Sequence, residues 1–191
     1  MDERALHSPA CFVILDMQRD FIDRSGHYAS KPRDISPLLK VKQALLGLLP
    51  RIHRKIPILY IMAEYEPGQF RANENMCIKG TRGQELVLDR KYASNVFIKY
   101  DWSAFTSTEF REYLSKNAIK TVLLAGVLTE YCIKESAMDG LHSGFNMIIV
   151  QDLVGSAVEK QKEGRETLAE LSAKGAQCIT SQDLMNMLSK N

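Results

Sequence analysis

Short, continuous runs of apolar and β-branched residues recur along the chain at Cys11 to Leu15, Ile58 to Met62, Asn95 to Ile98, Thr121 to Ala125, Asn146 to Val150 and Ala176 to Ile179. They lack the strict alternation of a strand with one wet face, so each reads as a strand covered on both sides. Between most of them the apolar spacing turns helical. Ser36 as N-cap with Pro37 at N1 opens a helix running towards Lys55 and stopped before Pro57, and Thr106 or Ser107 opens another through Lys116. Further helices are predicted from about Thr129 to Ser143 with Gly144 at the end, from about Ser156 to Lys174 with Gly175 likewise, and from Ser181 onwards. Alternating strands and helices imply right-handed crossovers and a mostly parallel, doubly wound α/β sheet of the Rossmann-like kind. Sites in such sheets lie beyond the carboxyl ends of the strands.

The stretch from Ala63 to Ala93 breaks this rhythm with about thirty residues rich in glycine and polar groups. Connections of that length usually carry function, so it is expected to wall the site. The 191 residues, 45% hydrophobic, suffice for one core, and residues 1–191 read as a single domain. A net charge of +2 argues against nucleic acid or a membrane surface as partner, and no apolar stretch is long enough to span a bilayer. Cys11, Cys77, Cys132 and Cys178 are widely separated and no signal-peptide pattern is present, which fits a reduced, cytoplasmic setting.

Chemistry concentrates after the strands: Asp16 follows the first, Lys99 the third, and Gly126 to Cys132 the fourth. A carboxylate, an amine and a thiol at strand ends are what thiol-based acyl transfer uses: a proton acceptor, a charge stabiliser and a nucleophile. Taken alone, Cys132 reads as a small buried hydrophobe, Asp16 as a solvated strand-end carboxylate and Lys99 as a surface charge. Placed in the first turn of a helix, the Cys132 thiol would face unsatisfied N–H groups that favour its thiolate. Gly80-Thr-Arg-Gly83 lacks the ending of a phosphate loop and no G-x-G-x-x-G follows the first strand, so nucleotide binding is not supported.

Three segments, Leu15-Asp-Met-Gln-Arg-Asp-Phe21, Lys99-Tyr-Asp-Trp-Ser-Ala-Phe105 and Gly126-Val-Leu-Thr-Glu-Tyr-Cys-Ile133, together resemble the signature segments of the isochorismatase-like cysteine hydrolases, in the same order. Cys77-Ile-Lys-Gly-Thr-Arg-Gly83 and the stretch from Asp139 to Asp152 also resemble family segments, so the likeness covers nearly the whole chain. The resemblance implies a six-stranded parallel sheet with helices on both faces, and a catalytic triad of Asp16, Lys99 and Cys132. It implies a cis peptide between Val127 and Leu128, an oxyanion hole from the backbone N–H groups of Leu128 and Cys132, and a homo-oligomer.

The retained cysteine favours hydrolysis of a C–N bond in a small amide, carbamoyl or ureido substrate through a thioester. Nicotinamidase-like or isochorismatase-type hydrolysis, or a non-catalytic interaction module on the same fold, remain the alternatives. Nicotinamidases of the family carry an Asp-x-His metal site after the second strand, where this chain has Ala63-Glu-Tyr-Glu-Pro67. His7, His27, His53 and His142 are not grouped as ligands, and Glu64 and Glu66 are the only candidate oxygen donors there, so no metal and no cofactor are expected. Phe21, Tyr65, Trp102 and Tyr131 adjoin the motifs as pocket walls or as core. Arg71 and Arg82 on the long loop are candidates to pair with a substrate carboxylate.

Overall fold

The computed structural model describes residues 9–70 and 75–189. His7 and Arg71 lie outside the described residues. Six strands, β1 (Ala10–Leu15), β2 (Ile58–Ala63), β3 (Asn95–Lys99), β4 (Thr121–Val127), β5 (Asn146–Gly155) and β6 (Gln177–Ile179), form one sheet in the order β3-β2-β1-β4-β5-β6, with every pairing parallel. The expected sheet is therefore present, and its strand order reverses direction between β1 and β4. That reversal is the topological switch point where a crevice opens at the carboxyl ends.

Helices α1 (Arg19–Ile22), α2 (His27–Ser30), α3 (Ser36–Ile52), α4 (Thr108–Lys116), α5 (Lys134–His142), α6 (Gln161–Ala173) and α7 (Ser181–Ser189) cover both faces. The pleat sorts the strand residues. Phe12 and Ile14 of β1, with Leu123 and Ala125 of β4, pack on Leu38, Leu45 and Leu49 of α3 and Leu184 of α7. Cys11, Val13 and Leu15, with Val122 and Leu124, face Phe110 of α4, Ala137 of α5 and Leu171 of α6. Both faces of the central strands β1 and β4 are thus dry, which explains why those runs look continuous in sequence.

Element boundaries shift in three places. α3 starts at Ser36 rather than after it, with Ile35 as N-cap. Asp34 Oδ1, accepting the Ser36 N–H at 2.8 Å, supplies the side-chain oxygen expected of Ser36. The helix expected from Ser156 begins as a 3₁₀ turn at Val158–Lys160 and becomes α-helical at Gln161. β5 runs on through a register shift to Gly155, so Ser156 is the residue that leaves the sheet. The segment expected to form one helix from Thr129 opens with a π-helical turn, Thr129–Ile133, before α5.

Gly126 is the close-packed point of the switch. Its φ is +109°, and a Cβ there would run into the backbone oxygen of Leu15 in the neighbouring strand. Only glycine meets both conditions. Gly126→Ala is expected to cost at least about 1–3 kcal/mol from backbone strain alone, more with the collision, and to lower the thermal midpoint while reducing turnover because Leu15 carries Asp16. A midpoint within a degree of the parent would show that β1 and β4 can part without loss.

Candidate active site

Three strand ends supply the groups. Asp16 leaves β1 with φ +56°, a left-handed backbone that aspartate tolerates better than most residues, and its carboxyl is fully buried. Lys99 is the last residue of β3, two strands away from β1. At about 4.8 Å per strand the two backbones stand roughly 10 Å apart, a gap that the Lys99 and Asp16 side chains close between them. Nζ lies 3.1 Å from Asp16 Oδ2 with both side chains wholly inaccessible to solvent. The same ammonium lies 3.4 Å from Cys132 Sγ and donates to the Asp101 carbonyl at 2.9 Å and the Tyr65 hydroxyl at 2.8 Å. Cys132, in the π-helical turn after β4, is 3% exposed.

Charge in this cluster follows from burial. Burial pushes Asp16 upward against the opposing pull of Lys99. Burial lowers Lys99, but the charges of Asp16 and Cys132 outweigh it, so Lys99 stays above the ordinary lysine value and is cationic. Cys132 is pushed up to about 12, first by burial and then by the Asp16 carboxylate, with Lys99 only partly offsetting. This corrects the expectation of a favoured thiolate: the helix-start N–H groups are outweighed by a dry site and a neighbouring anion. The resting form is a thiol beside a carboxylate. Asp16 Oδ2 faces the Lys99 ammonium, and the carboxyl is also a hydrogen-bond partner of the Cys132 thiol, so the thiol proton has an acceptor beside it.

The peptide between Val127 and Leu128 is cis. Leu128 and Cys132 both line a cavity of about 380 Å³ that opens over the sulfur. Phe21, Tyr65, Trp102 and Tyr131 are all among its walls. Tyr65, Trp102 and Tyr131 are linked edge to face and tilted through Phe70, with centroid distances of 4.9 Å from Tyr65 to Phe70, 5.4 Å from Phe70 to Trp102 and 5.2 Å from Trp102 to Tyr131. Gln69, Phe70 and Met76 place the long loop in that wall, as its length suggested. Arg82 is exposed and does not line the cavity. Arg33 does line it, from the loop between α2 and α3, a position no periodicity marks.

Two further residues of the first motif have structural work that was not assigned from sequence. Gln18 is fully buried; its amide donates to the carbonyls of Ala63 and Gln84 and accepts from the Ala63 N–H at 2.8 Å. Asp20 accepts from the backbone N–H groups of Cys77 at 2.7 Å and His27 at 3.1 Å. Together they tie the end of β2 and the long loop to the segment carrying Asp16. Two polar side chains directly after an apolar strand were the available signal.

After β2, Glu64 binds Lys79 at 3.2 Å with one oxygen and Gln84 at 2.9 Å with the other, and Glu66 is exposed. No group of three or more His, Cys, Asp or Glu that could hold a metal occurs among the described residues. The donor set there does not fit a transition-metal site. No helix among the described residues is long and apolar enough to cross a membrane.

Residues 10–183 match the isochorismatase domain family. Maleamate amidohydrolase from Pseudomonas putida is 34% identical over 135 residues, 71% of this chain and 56% of that protein, so the matched part spans little more than half of that relative. An isochorismatase-like hydrolase from Alkaliphilus metalliredigens superposes with a TM-score of 0.82 at 21% identity, covering 94% of this chain and 98% of that one. The pyrazinamidase of Pyrococcus horikoshii in complex with zinc gives 0.77 at 24% identity, covering 90% and 99%.

Because the Asp16 charge raises the thiol, Asp16→Asn should move the alkylation profile of Cys132 by iodoacetamide to lower pH. In the parent the reaction should still be climbing at pH 9. An unchanged profile in the variant would show that burial alone sets the sulfur's proton affinity.

Proposed function

Taking as premise that this chain belongs to the isochorismatase family of hydrolases, we propose that it hydrolyses the C–N bond of a small amide through a thioester on Cys132. The single observation that carries this reading is the convergence of Asp16, Lys99 and Cys132 at the switch point, with Nζ 3.1 Å from the carboxylate and 3.4 Å from the sulfur. The maleamate amidohydrolase relative supports an amide rather than a vinyl-ether substrate.

The chemistry follows from the charge states. As Cys132 Sγ attacks the carbonyl carbon, its proton passes to Asp16, whose raised proton affinity suits it to accept at neutral pH. The carbonyl π electrons move to oxygen, and the N–H groups of Leu128 and Cys132 are assigned to that oxyanion, a role typically worth about 2.7–4 kcal/mol per donor. Asp16 then returns the proton to the amine nitrogen as the C–N bond breaks, leaving a thioester and free amine or ammonia. Water, deprotonated by Asp16, attacks the thioester; the tetrahedral adduct collapses and sulfur leaves with that proton. Lys99 remains charged throughout and offsets the anion wherever it resides. No step is assigned to a metal, because the side chains after β2 do not form a site for one.

Tyr65 joins this cluster through its hydroxyl. Burial keeps it protonated, its oxygen accepts from Lys99 at 2.8 Å, and Cys132 Sγ lies 4.0 Å away. It is therefore placed as a donor to sulfur as negative charge develops there.

Ammonia release should be screened over small amides, carbamoyl compounds and ureides. Cys132→Ala should remove turnover by at least about 1,000-fold with its melting midpoint retained, in line with losses on deleting a nucleophile. Turnover surviving that change would eliminate the thioester route. The acid limb of kcat/KM should lie above the ordinary carboxylate range, since activity needs ionised Asp16 and burial raises it. Tyr65→Phe should lower kcat by about 10- to 100-fold, the value of a hydrogen bond to a charged group, with KM little changed; a rise in KM alone would reduce Tyr65 to a wall.

A further inference from the structure

Six of the described residues lining the cavity over Cys132 are aromatic, and among the described residues Arg33 is the only charged side chain lining it. Arg33 is held in place but not satisfied. Its guanidinium carbon lies over the Tyr28 ring, 4.2 Å from the centroid, and its Nε stands 4.0 Å from Glu159 Oε1, the outer limit of an ion pair. It donates no hydrogen bond to any described residue, although a guanidinium carries five N–H groups. Glu159 is partly engaged elsewhere, since its other oxygen accepts the Asp34 N–H at 3.4 Å. The Arg33 side chain is 23% exposed, so its fork is oriented by stacking yet open on one side.

Resting on the hydrolase reading above, we propose that Arg33 binds a carboxylate on the substrate, which makes the substrate class short monoamides of dicarboxylic acids. A planar guanidinium matches a carboxylate through two parallel N–H···O bonds at about 2.7–2.9 Å, a contact much shorter than the one Glu159 provides. One cation among apolar walls suits one negative charge. A phosphate would bring a second charge with no partner, and a cationic substrate would be repelled by Arg33 despite the aromatic rings. The volume of about 380 Å³ lies near the lower end of the range of about 300–1,000 Å³ for ligand pockets, which limits the acid to a short chain. With the amide carbon at Cys132 and the carboxylate at Arg33, the body of the substrate lies between Phe21, Phe70, Trp102 and Tyr131.

The test compares the monoamides of succinic and fumaric acid with their methyl esters, which keep the amide and remove the charge. The parent protein should prefer the acids by about 100-fold in kcat/KM, the upper scale of hydrogen bonding to a charged group. Arg33→Met should remove that preference mainly through KM, leave the esters within about threefold, and retain the melting midpoint; Arg33→Lys should be intermediate. Binding gives an independent readout, because Trp102 is the only tryptophan and lines the cavity. In Cys132→Ala protein, its fluorescence should titrate with the acids, and adding Arg33→Met should weaken that binding about 100-fold. Selective binding of the acids without any Cys132-dependent turnover would sustain the Arg33 assignment and overturn the hydrolase reading. Equal binding or equal turnover of acids and esters by the parent, or an equal loss on both with Arg33→Met, would overturn the Arg33 assignment itself.

Discussion

A charge pair sealed from water constrains the rest of this structure. Asp16 and Lys99 are both wholly inaccessible, with 3.1 Å between oxygen and nitrogen. Removing two ions from water costs several kcal/mol each, and attraction offsets this only where the geometry is held firmly. Lys99 meets that condition with four neighbours: Asp16, Cys132, the Tyr65 hydroxyl and the Asp101 carbonyl. Asp16 has the Lys99 ammonium and the Cys132 thiol as partners, and depends on Lys99 for compensation of its charge. A fold that lost this register would leave a bare carboxylate in the core, so the ends of β1 and β3 and the turn after β4 are specified as one unit.

The surrounding polar groups maintain that register. Gln18 binds the end of β2, the strand that Lys99 reaches across, and also the long loop at Gln84. Asp20 binds the loop again at Cys77, just before the turn that returns the chain towards β3. Gly126 lets β4 approach the backbone of Leu15 more closely than a side chain would permit. Gln18, Asp20 and Gly126 belong to the motifs without lining the cavity, which separates those that shape the site from Phe21, Leu128 and Cys132, which line it.

Much of this was legible in the chain because a parallel sheet writes its strands as apolar runs and places its chemistry at their ends or in the turns that follow. Asp16, Lys99 and Cys132 stood out for that reason. Helix starts were less legible: Ser36 and Ser156 carry good capping side chains, yet Asp34 caps the first helix, while Ser156 donates to Glu130 at 2.6 Å as the chain leaves β5. The protonation state of Cys132 was misjudged because position in a helix is a local property, whereas burial and the Asp16 charge arise only in three dimensions. Arg33 could not have been found, since it lies on the loop between α2 and α3 with no pattern to separate it from Arg24 or Arg82. What distinguishes it is the Tyr28 ring beneath it.

The charge states also bear on why a dry site serves the proposed reaction. With Asp16 ionised, Lys99 protonated and Cys132 held as a thiol, the cluster sums to zero. When sulfur attacks and Asp16 takes the proton, the negative charge moves from carboxylate to oxyanion while Lys99 stays cationic, so the sum does not change. A preformed thiolate beside an ionised Asp16 would instead place two anions against one ammonium in a medium of low dielectric. Burial that raises both the carboxyl and the thiol is therefore compatible with catalysis: it suppresses the doubly anionic state and makes proton transfer coincide with attack. The same economy applies at the far end of the cavity, where a carboxylate meeting Arg33 would neutralise the one charge among its described walls and leave the aromatic surfaces in contact with an uncharged substrate body.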